Sequence, residues 1–111
     1  MKTVRALWDT GATGSVVTAS MAKELDLVPI DQMETTGVHG TKRVNVYAID
    51  LRLPNDVTVL GMTVSEADGP THDFDVIIGM DVITLGDFAV SNYQGQTCFR
   101  FDIRHRGTLI L

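Results

Sequence analysis

Residues 43–65, RVNVYAIDLRLPNDVTVLGMTVS, decide most about the fold. Apolar side chains alternate here with a period of two, which suits strands and defeats an amphipathic helix. Pro54, Asn55 and Asp56 form turn chemistry between the two runs, so 43–54 and 57–65 are expected to pair as a hairpin. The apolar phase also changes partway. Val44, Val46 and Ala48 fall on one side, then Tyr47, Ile49, Leu51 and Leu53 on the other. A strand that leaves one packing environment and enters another does this, and a bulge is the usual device.

The rest of the chain adds short strands. Residues 3–8 (TVRALW), 15–18 (SVVT) and 74–79 (FDVIIG) read as strands, the last buried. Residues 87–103 read as a second hairpin turning near Asn92–Gly95. Thr18 is a suitable N-cap for a helix over 19–26, with Met21 and Leu25 on one face and Pro29 beyond its end. A brief helix is expected over 80–85. Residues 35–42 hold two glycines without periodicity, and a flexible turn between strands is expected there. The count gives a mainly β fold with one or two short helices. With 111 residues, 44% of them hydrophobic, the whole span 1–111 is expected to form one domain with a modest core. Only eight residues precede Asp9, so excision from a longer protein is open.

Composition closes several function classes. The net charge is −5, and no run of Lys or Arg offers a phosphate-binding face. Arg104 and Arg106 read as a solvated tail. Nucleic acid is therefore not an expected partner. No apolar stretch reaches the about 18 residues of a spanning helix, and none resembles a signal peptide. A single cysteine, Cys98, rules out an internal disulfide and fits a reducing, cytoplasmic setting. It lies in an expected strand and reads as a packed thiol. His39, His72 and His105 are scattered, and HDFD (72–75) reads as a solvated loop, so no metal site is expected. Ser15 and Ser20 have no ordered His and Asp partners for a serine hydrolase. Trp8 and the methionines read as packing.

The stretch LWDTGATGSVV (7–17) is harder to place. Asp-Thr-Gly alone is ordinary turn chemistry, the carboxylate capping backbone N–H groups. A phosphate loop is a second reading, since Gly11 and Gly14 follow a strand and Asp31 stands about 20 residues on. The third glycine is missing, no lysine is near, and Asp9 would repel phosphate. Catalysis is the third reading. Two adjacent carboxylates cannot both ionise, so one takes a proton from water while the other polarises a peptide carbonyl. The chain has one such loop, so the second carboxylate must come from another copy across a two-fold axis.

ALWDTGATGSVV resembles the active-site loop of retroviral-type, retropepsin-like aspartic peptidases: Asp9, Thr10, Gly11, Ala12, then Ser15. VIIGMDVI (76–83) resembles the family's second motif, in the form found in retrotransposon and bacterial-like single-domain members. TGVHGTKRVNVYAIDLRL falls where that family carries its glycine-containing flap. The resemblance implies a closed-barrel acid-protease fold with one Asp-Thr-Gly lobe per chain. It implies an endopeptidase that works as a homodimer on an extended peptide, without metal or organic cofactor. Asp9 would be the catalytic carboxylate. Thr10 would hydrogen-bond across the two-fold axis, and Gly11 would let substrate approach the backbone. Ala12 would line the cleft, and Gly37, Val38, His39 and Gly40 would close over the peptide. Val76, Ile77 and Ile78 would form the pocket wall or the core behind it, and Gly79 would pack close behind the loop. A dyad sharing one proton implies a bell-shaped pH–rate profile with its optimum below neutral. Many retroviral members pair an Asp after the Ala with an Arg after the second-motif Gly. Here those positions hold Thr13 and Met80, and both ends of that ion pair are absent together. The extra C-terminal length, QTCFRFDIRHRGTLIL, would then supply an interface hairpin. The competing reading is a catalytically silent domain kept for dimerisation or peptide binding.

Overall fold

A computed structural model describes residues 1–37, 40–67, 73–103 and 109–110. The elements are β1 (Ala6–Trp8), β2 (Val16–Val17), α1 (Ala19–Glu24), β3 (Asp31–Gly37), β4 (Gly40–Arg52), β5 (Thr58–Glu66), β6 (Val76–Ile78), α2 (Met80–Ile83), β7 (Asp87–Tyr93), β8 (Gln96–Asp102) and β9 (Leu109–Ile110). The mainly β expectation holds. Seven strands make one curled, half-barrel sheet in the order β1-β6-β2-β5-β4-β3, with β9 added parallel to β5. β7 and β8 form a separate two-stranded sheet.

The long hairpin is β4 and β5, antiparallel, with a register shift between Ile49 and Leu51. One residue of β4 there, Asp50, faces two of β5, Leu60 and Gly61. Gly61 takes φ +64°, and its N–H donates to Asp50 Oδ1 at 2.9 Å. The bulge therefore has a backbone cause and a side-chain stay. The expected phase change follows. Tyr47, Leu51, Leu53, Val59, Met62 and Val64 are all buried in the main core, whereas Val44 is buried outside that cluster.

Helix α1 is shorter than the expected 19–26. Leu27 N–H bonds Ala22 C=O, Asp26 N–H bonds Lys23 C=O, and Asp26 sits at φ 52°. That is a Schellman closure with Asp in the left-handed position. Leu25, the C-cap, is exposed and does not share the buried position of Met21. Met21 and Ala22 carry the helix's buried face. Thr18 is the N-cap, its Oγ1 accepting from Met21 N–H at 3.2 Å. Thr18→Ala should lower stability by about 1 kcal/mol, with Thr18→Ser close to wild type, in urea denaturation.

The expected flexible turn over 35–42 is mostly strand. β3 runs to Gly37 and β4 starts at Gly40, the two paired directly. Only Val38 and His39 lie between them, outside the described residues. α2 ends at Ile83, two residues short of its expected end, because Leu85 N–H turns back to Val82 C=O. Cys98 is in β8 as expected, but it is exposed and not packed. The β7–β8 sheet has one face against Trp8 and the core, and its other residues face outward.

Candidate active site

Asp9 follows directly on β1, the strand that pairs parallel with β6 through Trp8 and Ile78. Its N–H donates to Ile78 C=O at 2.9 Å, which pins the start of the loop to the end of β6. The Asp9 carboxylate is oriented from within the loop: Gly11 N–H donates to Oδ1 at 2.8 Å. Asp9 C=O accepts from Ala12 N–H at 3.2 Å, closing a tight turn. A Cβ at Gly11 would stand 3.2 Å from Asp9 Oδ1, so glycine keeps that side of the carboxylate open.

Asp9 is half-buried, Ala12 likewise, while Thr10, Gly11, Thr13 and Gly14 are exposed. The loop thus offers its carboxylate at the surface of the single chain. Beneath it, Ser15 is 3% exposed and fully bonded. Its Oγ donates to Asp81 Oδ1 at 2.7 Å and accepts from Gly79 N–H at 3.0 Å. Ser15 N–H donates to Asp81 Oδ2 at 3.0 Å. Asp81 Oδ1 also accepts from Val82 N–H at 3.0 Å, and Met80 N–H bonds Ala12 C=O at 2.8 Å.

The structure therefore brings Asp9 and Ala12 against the Ile78–Met80 segment, with Thr10 and Gly11 exposed between them. Val76 and Ile78 are core residues, Ile78 at 1% exposure, and Ile77 is half-buried. Gly37 and Gly40 close the β3–β4 hairpin, and Gly40 has φ +107°. Trp8 packs as expected, its ring 4.9 Å from Phe99, 5.1 Å from Phe101 and 6.0 Å from Phe88. His72, Arg104, His105 and Arg106 lie outside the described residues. A groove beside α1, lined in part by Lys23, Tyr47 and Glu66, shares no residue with the Asp9 loop. Among the described residues no group of His, Cys, Asp and Glu is placed to hold a metal ion, and no helix is long and apolar enough to cross a membrane.

Sequence reading missed the Ser15–Asp81 pair. Both residues stand in the motifs, Ser15 three positions after Ala12 and Asp81 two after Gly79, and that shared placement was the available signal.

No curated protein matches the sequence. The family model described as aspartyl protease matches residues 2–82, a span that holds the Asp9 loop, the β3–β5 strands and the Gly79–Asp81 motif. The chain belongs to the aspartyl protease family, in its retropepsin-like branch.

Proposed function

We propose that the protein, as one domain over 1–111, is an endopeptidase active as a homodimer, with Asp9 as one half of a shared dyad. The observation that carries this reading is a lone Asp-Thr-Gly loop held rigidly with its carboxylate at the chain's surface. One carboxylate makes half a site. A second copy placing its own Asp9 alongside would force the pair to share one proton. The ionised member then takes a proton from water as the water attacks the scissile carbonyl, and the protonated member hydrogen-bonds the carbonyl oxygen. The proton then passes to the leaving amine. Thr10 hydroxyls would tie the two loops together.

Surface chemistry around the loop supports a self-association face. Leu7, Val90, Tyr93 and Phe99 are exposed apolar residues on β1 and the β7–β8 hairpin. The hairpin is fastened to the residue before Asp9 through Trp8. A two-stranded sheet is marginal alone, and its open edges accept further strands. An extended peptide would lie between the copies, covered by the β3–β4 hairpin with Gly37, Val38, His39 and Gly40 at its tip, and flanked by Ala12 and Ile77, with Ile78 behind. No cofactor takes part in this scheme. A cytoplasmic setting also belongs to the proposal, resting on the single cysteine.

The test mixes copies. Wild-type protein, above its dimer dissociation constant, is equilibrated with a ninefold excess of Asp9→Asn chains and assayed on a quenched-fluorescence peptide library. Random exchange leaves about one wild-type chain in ten paired with its like, so the rate should fall about tenfold by mass action. An unchanged rate means that one chain holds the whole site. The shared proton also requires the rate to pass through a maximum below pH 7. A rate flat from about pH 4 to 9 contradicts it.

A further inference from the structure

The Asp9 loop is tied at both ends to one short piece of chain. Its start is held by Asp9 N–H on Ile78 C=O, and its middle by Met80 N–H on Ala12 C=O. Its far end is held by Ser15, whose hydroxyl and amide both reach the Asp81 carboxylate. The Ser15 hydroxyl both donates and accepts, and each Asp81 oxygen accepts at least one bond. Ser15 Oγ accepts from Gly79 and donates to Asp81, so it is not free as a nucleophile. Asp81 accepts from the Ser15 hydroxyl, the Ser15 amide and the Val82 amide. Its oxygens are turned toward Ser15 and the start of α2, so they are not available as the second acid of a dyad within one chain. Among the described residues no buried side-chain N or O lacks a partner, this ring included.

We infer that Ser15 and Asp81 are positioning residues for Asp9, an inference that rests on the dyad reading of that carboxylate. The ring joins residues 64 to 66 positions apart. It fixes where the loop's far end sits against Gly79, and so where Gly11 N–H aims the Asp9 carboxylate. Two carboxylates that must share one proton tolerate little displacement. A misplacement of about 1 Å costs about a hundredfold in rate when geometry is preorganised.

Ser15→Ala removes the hydroxyl and leaves the core side chains in place. It should lower kcat about 10- to 100-fold with KM within about twofold, because substrate contacts are untouched. Ser15→Thr keeps a hydroxyl and should restore kcat. Asp81→Ala should match Ser15→Ala, and the double variant should be no worse than either, since both break one ring. The second readout needs no turnover: the Gly11 amide proton resonance, set by its bond to the Asp9 carboxylate. It should move in Ser15→Ala and return in Ser15→Thr. If wild type is inert, the dyad reading fails, while the Gly11 resonance still decides the positioning role. An unmoved Gly11 resonance, equal losses in kcat and apparent affinity, or no rescue by threonine overturns the inference.

Discussion

Asp9→Asn should abolish peptide turnover while leaving the fold intact. The amide keeps an oxygen in the Oδ1 position, so it still accepts the Gly11 N–H that orients the side chain. Asn and Asp are near-isosteric at this half-buried site, and the melting temperature should stay close to wild type. What the amide lacks is a titratable oxygen. It cannot take a proton from water, and in a homodimer both acids are lost in one substitution. The expected fall in kcat is about 10⁴-fold, the upper end of general acid–base contributions. Sedimentation velocity beside the assay separates chemistry from assembly: the variant should remain dimeric and inactive. Equal rates for the two proteins would remove Asp9 from the mechanism. A wild type inert on every peptide, yet dimeric, would favour the silent-module reading instead.

Burial decided which strands were legible. The β4–β5 hairpin could be read because its side chains alternate between core and solvent, and even the bulge left a phase change to find. β3 left no such trace. Its sequence, DQMETTG, is an edge strand of largely exposed residues, paired among the described residues with β4 alone. It exists because β4 supplies a ladder partner, not because its own side chains favour one face. Cys98 misled for a related reason. Cys98 shares the face of β7–β8 turned away from Trp8 with Ser91 and Tyr93, all exposed, so strand character there does not bring burial in the single chain.

The candidate site was legible in pieces whose meeting was not. Asp9 and Gly79 each stand in a short motif. Periodicity says nothing of the parallel β1–β6 pairing that brings the motifs together. The Ser15–Asp81 bonds are a tertiary consequence of that pairing, with Ser15 between Gly14 and Val16 and Asp81 between Met80 and Val82 in sequence.

Gly79→Ala should be the most destabilising single-methyl addition in the Asp9 loop and its support. The glycine's φ of −98° and ψ of −168° are ordinary extended values, so backbone strain is not the reason. The reason is space. A Cβ at Gly79 would meet Ala12 O at 2.7 Å and Gly14 C and O at 2.9 Å. These are backbone atoms of the Asp9 loop, which cannot swing aside as a side chain would. The loop must move bodily, against the Met80 N–H to Ala12 C=O bond and the Gly79 N–H to Ser15 Oγ bond. Overpacking of this kind costs about 3 kcal/mol where nothing can yield. At roughly 4–8 °C per kcal/mol for a domain near this size, the melting temperature should fall by roughly 15 °C. Gly14 supplies the control from the same loop. A Cβ there meets nothing within 4 Å, so Gly14→Ala should stay within about 0.5 kcal/mol of wild type. Because the displaced atoms belong to the turn that carries Asp9, Gly79→Ala protein that still folds should also lose about a hundredfold in kcat. Matching melting temperatures for the two alanine variants would mean the loop yields freely, and its rigidity could then not be what sets the carboxylate in place.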